Sequence, residues 1–228
     1  MSIALTFDDG PNHTTTLELL DYLEDEHVAA TFFVLGSMVK KFPLVLKRIA
    51  NSPVGHHIGN HSWSHPDFKN LDDTAIEKEI SDTQKIVEDT IGASLVRIMR
   101  PPYGSATRAQ RELIKTMGYE LVLWTVDSYD TKKHFPRRAK PIADQILNNT
   151  HQASIVLVHD IHKYSVEAIK IVVPTLKRYN CSFVTVQLVK TQTAVRHAHI
   201  ENESPYQWFP VSRAGAPACT LDCEASIY

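Results

Sequence analysis

Cysteine is scarce. Three in 228 residues are too few for a disulfide framework. Cys181 stands in an apolar stretch, YNCSFVTV, that suits a small buried side chain, whereas Cys219 and Cys223 flank a short loop where a local disulfide is allowed but not required. Long apolar runs are missing too. Nothing approaches the roughly 20 residues needed to span a bilayer. Met1-Ser2 leads straight into an apolar run, without the charged and apolar regions of a signal peptide, so the chain reads as soluble, with no transmembrane segment and no visible address label. Nor does either sign of charge prevail. The net charge is -2, with no basic stripe or acidic tail, which makes nucleic acid and anionic membranes poor partners. Internal repeats and low-complexity segments are absent.

What remains is ordinary globular material, 43% hydrophobic and 22% charged, at a length that α/β barrels reach as one domain. Apolar, β-rich runs recur at 3–7, 29–35, 54–59, 95–99, 120–126, 154–159 and 182–188. Between them lie helix-period stretches at 15–26, 37–50, 71–92, 106–118, 137–150 and 165–180. Leu17, Leu20 and Leu23, or Ile76, Ile80, Thr83 and Val87, show the apolar spacing of about 3.6 residues. Gly92, Gly118 and Asn180 mark helix ends. Such alternation implies a parallel sheet with right-handed crossovers, closed as a barrel or open and doubly wound. From about residue 189 the pattern dissolves into a polar, Pro- and Ala-rich tail, expected to pack on the outside of a domain spanning 1–188. Five Asn-x-Ser/Thr sequons, at Asn12, Asn60, Asn148, Asn180 and Asn202, would suit a secreted protein but are short enough to arise by chance.

Ligands meet parallel α/β folds at the carboxyl ends of the strands. The unusual polar residues fall there: Asp8 and Asp9 after the first run, His61 and His65 after the third, Arg100 and Tyr103 after the fourth, Asp127 and Asp130 after the fifth, His159 and Asp160 after the sixth. Side chains alternate along a strand, so adjacent acids at its end serve two different targets. His61 and His65 are spaced i, i+4, which on a helical turn would bring both rings to one face. Two imidazoles and one carboxylate with an open position form a catalytic rather than a structural metal site. These donors suit Zn²⁺, with Co²⁺, Mn²⁺ or Fe²⁺ as alternatives. The second acid is then free to act as a base on water at the metal. Arg100, directly before Pro101-Pro102, would keep that base ionised.

The motifs TFDDGP, HSWSH, RPPYG, VDSYD and LVH, in this order and at strand ends, resemble the five motifs of the polysaccharide deacetylases, carbohydrate esterase family 4, which include chitin and peptidoglycan deacetylases. The similarity runs from about Ile3 to Leu188 and includes TFFVLG and GHHIGNHSWSHPDF. It implies an α/β fold, a distorted seven-stranded (β/α) barrel in a single domain. It also implies Asp8 as general base and Asp9, His61 and His65 as metal ligands, an order of the acids that spacing alone leaves open. Arg100 would orient Asp8, and the backbone N–H of Tyr103 would help hold the oxyanion. His159 would be the general acid, with Asp130 fixing its imidazole, and Leu157 would line the acetyl pocket. Thr131 departs from the pattern, since the family commonly carries an aromatic pocket wall there. Trp63, Phe68, Tyr103 and Tyr129 are candidate sugar-stacking faces.

The implied reaction is metal-dependent hydrolysis of N-acetyl groups on a β-linked N-acetylglucosamine polymer, chitin or peptidoglycan, releasing acetate. The expected partner is that N-acetylated glycan, the expected state a monomer, and the expected location extracellular, at the cell surface or wall. Thr131 motivates the alternative of a catalytically impaired carbohydrate-binding or wall-associated homologue. A glycosidase fits less well. Its two carboxyl groups face each other ~5 to 9.5 Å apart across the bond, whereas adjacent acids diverge.

Overall fold

The structure, a computed structural model, describes residues 1–186. It contains β1 (Ser2–Asp8), α1 (Thr15–Asp25), β2 (Thr31–Val34), α2 (Gly36–Lys41), α3 (Pro43–Ala50), β3 (His57–Asn60), α4 (Asp73–Ile91), β4 (Ile98–Met99), α5 (Arg108–Thr116), β5 (Glu120–Leu121), β6 (Val126–Asp127), α6 (Ala139–Asn149), β7 (Ile155–His159), α7 (Lys163–Arg178) and β8 (Ser182–Phe183). Seven strands pair in the order β5-β4-β3-β2-β1-β7-β6, and β8 pairs with the start of β1. Every pairing is parallel. The sheet curls into the distorted seven-stranded barrel that the sequence implied.

The seven barrel strands are not the seven apolar runs. The run at 120–126 splits: β5 pairs with β4 at one edge of the sheet and β6 with β7 at the other. Between them Val122 N–H donates to the Met99 carbonyl at 2.8 Å and Thr125 N–H to that of Ile155 at 2.9 Å. One stretch of chain therefore joins both edges, and the ladder breaks where it crosses. The last run supplies only β8, outside the barrel path.

β1 lies centrally, and its alternation sets the two sides of the sheet. Ile3, Leu5 and Phe7 face the helices, where they pack with Leu19, Leu20, Leu23, Ile169 and Val173. Ala4 faces the interior with Phe33, Ile98, Val122 and Ile155. Burial on both sides explains the continuous apolar strand sequences. The apolar face anticipated for α4 is the one it buries, through Ile76, Ile80, Thr83 and Val87. Its N-terminus is capped by the Asp72 side chain, which accepts from Ala75 N–H at 2.8 Å, and left-handed Gly92 ends it.

The stretch read as one helix at 37–50 is two, α2 and α3. Pro43 has no N–H and drives the preceding residue out of helical geometry, so Phe42 takes φ -130, ψ 57. The tail 189–228, with Cys219 and Cys223, lies outside the described residues, as does the domain boundary at 188. Among the described residues no helix is long and apolar enough to cross a membrane.

Gly59 on β3 passes close to its neighbours. A Cβ there would lie 2.6 Å from the Phe33 ring and 3.1 Å from Ile98. Gly59→Ala is therefore expected to lower the unfolding free energy by about 1–3 kcal/mol through overpacking. The urea midpoint should fall at unchanged m-value; an unaltered midpoint would contradict this packing.

Candidate metal centre and active site

Asp8 and His159 are paired across β1 and β7, and Asp8 is also the register partner of Phe33 on β2. Strand alternation sends Asp8 into the barrel with Thr6, one layer below it. Asp9 then takes a left-handed backbone, φ 75, as the strand ends. That reversal separates two adjacent carboxylates. Asp8 Oδ1 accepts from Arg100 at 2.7 Å, while Asp9 Oδ1 lies 3.5 Å from Nε2 of both His61 and His65.

The two histidines do not converge by a helical turn. Residues 61–65 form a loop with left-handed residues at Ser62 (φ 72) and His65 (φ 63), and the ring centroids still come within 5.0 Å. Asn60, fully buried at the end of β3, sets this loop. Its amide donates to the Ile80 carbonyl at 2.9 Å, and its Oδ1 accepts from Ser62 N–H at 2.9 Å. Ser62 Oγ accepts from His65 N–H at 3.0 Å. Glu79 on α4 accepts from the N–H groups of Trp63 and Ser64, both at 2.8 Å. Neither Asn60 nor Glu79 was singled out from the sequence as a support; Asn60 stood out only as a sequon, and its burial shows a structural role.

The donor set fits a divalent metal. Ligand atoms of Asp9, His61 and His65 lie within 4.8 Å of one another. Asp9 Oδ1 is buried without a hydrogen-bond partner, which an ionised oxygen tolerates poorly unless a cation satisfies it. His61 Nδ1 lies 2.7 Å from the Arg100 carbonyl. A carbonyl only accepts, so Nδ1 carries the proton and Nε2 turns its lone pair to the site, the arrangement of a metal-ligating imidazole. Burial alone would raise the Asp9 carboxyl, but the imidazoles of His61, His159 and His65 outweigh it and bring it down to about 2.

Arg100 is wholly buried. Nη1 donates to Asp8 Oδ1 and, at 2.8 Å, to Thr6 Oγ1. Nε donates to the Val122 carbonyl at 3.1 Å and Nη2 to that of Leu123 at 3.2 Å. The guanidinium carbon stands 4.3 Å from the Phe33 ring centre and 5.6 Å from that of Trp124. Burial pulls the guanidinium below its ordinary value and Asp8 opposes that shift.

Opposite Asp8, Asp130 grips His159 twice. Asp130 Oδ1 lies 2.8 Å from Nδ1, and Oδ2 accepts from His159 N–H at 2.9 Å and from Ser165 Oγ at 2.7 Å. Burial would lower the imidazole, but Asp130, reinforced by Asp8 and Asp9, raises it to about 9. Its proton then belongs on Nε2, facing the site. Asp160, which no role had claimed, is fully buried beside it. Thr16 Oγ1 donates to Asp160, and burial together with the Asp9 charge raises its carboxyl to about 7. A Cβ on Gly10 would lie 2.5 Å from this carboxyl, so only glycine fits the turn that follows Asp9.

Tyr103, with left-handed φ 59, is 67% exposed and meets the His65 ring edge-on at 4.6 Å. Tyr129, 39% exposed, directly precedes Asp130. Leu157 is buried beside Thr6. The Trp63 ring is half-buried against Gly36, and Thr131 is exposed. Phe68, a candidate stacking face, is fully buried and serves packing.

The family model described as polysaccharide deacetylase matches residues 1–122. A peptidoglycan-N-acetylmuramic acid deacetylase, PdaC, of Bacillus subtilis is 39% identical over 196 residues, 86% of this chain and 40% of that protein. Its solved structure superposes with a TM-score of 0.79 at 38% identity, covering 87% of this chain and 94% of that one. A peptidoglycan-N-acetylglucosamine deacetylase of Bacillus cereus is 36% identical over 81% of this chain and 66% of its own length. A family 4 acetyl xylan esterase from Clostridium thermocellum, solved with a cobalt ion, has a TM-score of 0.76 at 30% identity, covering 85% of this chain and 92% of that one. The chain thus spans between two fifths and two thirds of the length of the two curated deacetylases it matches. With the barrel, the strand-end motifs and these similarities in agreement, the chain belongs to the polysaccharide deacetylases, carbohydrate esterase family 4.

Proposed function

We propose that this protein is a metal-dependent N-deacetylase that removes acetyl groups from a β-linked N-acetylglucosamine polymer of the peptidoglycan type, outside the cell at the wall, as a monomer. The names of its relatives favour peptidoglycan over chitin. One observation carries the reading: the donor atoms of Asp9, His61 and His65 converge beside an Asp8 carboxylate gripped by Arg100, and His159, its imidazole held by Asp130, stands on the adjacent strand.

Asp9, His61 and His65 would hold the ion, with Zn²⁺ the best match and Co²⁺ or Mn²⁺ acceptable. A divalent ion there would supply Lewis acidity toward the acetamide carbonyl and the attacking water. Asp8 takes the proton of that water through Oδ2, because Arg100 occupies Oδ1. As the C–O bond forms, charge collects on the carbonyl oxygen, where the Tyr103 N–H serves as a backbone donor. His159 passes its Nε2 proton to the departing nitrogen, the C–N bond breaks, and acetate and a free amine leave. Asp130 holds the imidazole in the tautomer this transfer needs. Leu157 lines the pocket for the acetyl methyl, and Tyr103 and Trp63 border the sugar.

A second reading, a glycan-binding homologue without turnover, draws on Thr131, which is small and exposed where the family pattern has an aromatic wall. Calorimetric glycan binding with no product would support it.

Acetate release from peptidoglycan strands or chitin oligomers is the direct assay. Asp8→Asn is expected to lower it by about 10²–10⁴-fold, and a chelator should abolish it until Zn²⁺ is restored. No acetate from any N-acetylated glycan with metal present would end the proposal.

The pH profile tests the acid. His159 must be protonated, and its value is raised to about 9, so activity should fall as pH rises through that region. Asp130→Asn removes the charge that opposes desolvation and should move the alkaline limb of kcat to lower pH. A limb unmoved by that substitution would exclude His159 as the acid.

A further inference from the structure

The chain is almost neutral overall, yet one segment concentrates charge. Positions 131–140, TKKHFPRRAK, hold five cations and no acid. They lead from β6 into α6, and Thr131 to His134 and Pro136 to Arg138 are exposed. The loop is built rather than loose. Lys132 N–H donates to the Tyr129 carbonyl at 3.0 Å, Phe135 N–H to Lys132 at 3.1 Å, and Arg138 N–H to Pro136 at 2.8 Å. Phe135 anchors it to the core and meets the Tyr129 ring at 5.6 Å.

Its position is beside the proposed general acid. Tyr129 directly precedes Asp130, which holds His159, and the Arg137 charge is felt at His162 and Tyr164, just beyond His159. Two of the five cations are already engaged: Lys132 with Asp127 at 3.4 Å and Lys140 with Asp144 at 2.7 Å. Among the described residues, Lys133, Arg137 and Arg138 have no acidic partner within 4.0 Å. Like charges gathered on one short exposed loop repel each other, and a bound anion would relieve that repulsion.

At the site itself the charges nearly balance, Asp8 against Arg100 and Asp130 against His159, so a strand bearing carboxylates meets little net repulsion there. Exposed cations beside the site add an attraction for anionic groups next to the acetylated sugar that a neutral strand does not share. Arginine forks also fit carboxylates in a bidentate manner.

We infer that the 131–138 loop is an anion-recognition subsite that selects N-acetylated glycan strands bearing carboxylates over neutral strands. The inference rests on the deacetylase reading of the adjoining site and deepens it by naming the substrate class.

The test is calorimetric titration of the metal-loaded protein carrying Asp8→Asn, to prevent turnover. The ligands are peptide-free and phosphate-free peptidoglycan strands, either with free carboxylates or with those carboxylates amidated. Free-carboxylate strands are expected to bind about tenfold more tightly, the sum of a few exposed charge pairs, and the preference should shrink as salt is raised. Combined Lys133→Gln, Arg137→Gln and Arg138→Gln should erase the preference. The charge reversals Lys133→Glu, Arg137→Glu and Arg138→Glu should invert it. Equal affinity for the two strands, or a preference that survives the Gln changes, would overturn the subsite. Acetate release from both strands is recorded separately with an intact Asp8. Release without a binding preference removes the subsite and leaves the deacetylase reading standing, whereas a preference without release does the reverse.

Discussion

A guanidinium with no access to water sits inside the barrel, and the placing of Asp8 and His61 follows from how Arg100 is satisfied. A buried charge that loses its partner costs about 3–5 kcal/mol. Here the partners are Asp8, Thr6 and the carbonyls of Val122 and Leu123, with the Phe33 and Trp124 rings on its flanks. These contacts tie the central strand to the crossing stretch between the two sheet edges. The same residue's carbonyl meets His61 Nδ1. One side chain and its backbone thus fix the Asp8 carboxylate, the seam of the barrel and the tautomer of His61.

The rim shows how a fold turns neighbouring acids toward different partners. Pleating points Asp8 inward toward Arg100, and a left-handed Asp9 swings its carboxylate toward the imidazoles. A single Cβ at Gly10 would collide with Asp160, so the turn that produces this divergence depends on glycine. Around the centre the charges nearly balance. Asp8 is answered by Arg100 and Asp130 by His159, while Asp9 and Asp160 each keep a buried oxygen without a hydrogen-bond partner, and that of Asp9 is the one facing two imidazoles. Asp160 meets the same field by a raised carboxyl.

Much of this was legible before any coordinates. Apolar runs punctuated by Gly, Pro and acids located β1, β2, β3 and β7, because a strand buried on both faces writes itself as a continuous apolar string. The convergence of Asp8, Asp9, His61, Arg100 and His159 was legible for the same reason, since parallel strands deliver their carboxyl ends to one rim. Other features depend on three-dimensional crossings with no local signature. The run from Glu120 to Val126 looks like one strand but serves both sheet edges, because the apolar pattern records burial and not partner. His61 and His65 suggested a helical turn by spacing, whereas left-handed Ser62 and His65 bring the rings together in a loop held by Asn60 and Glu79. Pro43 could have signalled the break between α2 and α3, and the apolar spacing on either side masked it.

The central claim is that Asp9, not Asp8, binds the metal together with His61 and His65, while Asp8 is reserved for proton transfer. Equilibrium Zn²⁺ affinity of Asp8→Asn and Asp9→Asn, measured against the unaltered protein with a competing chelator, tests it without reference to turnover. Asp9→Asn is expected to weaken binding by well over about tenfold, since even outer partners of a metal site cost that much, and Asp8→Asn to leave most of it intact. Equal losses from the two substitutions, or a larger loss from Asp8→Asn, would contradict the division of labour between the two acids.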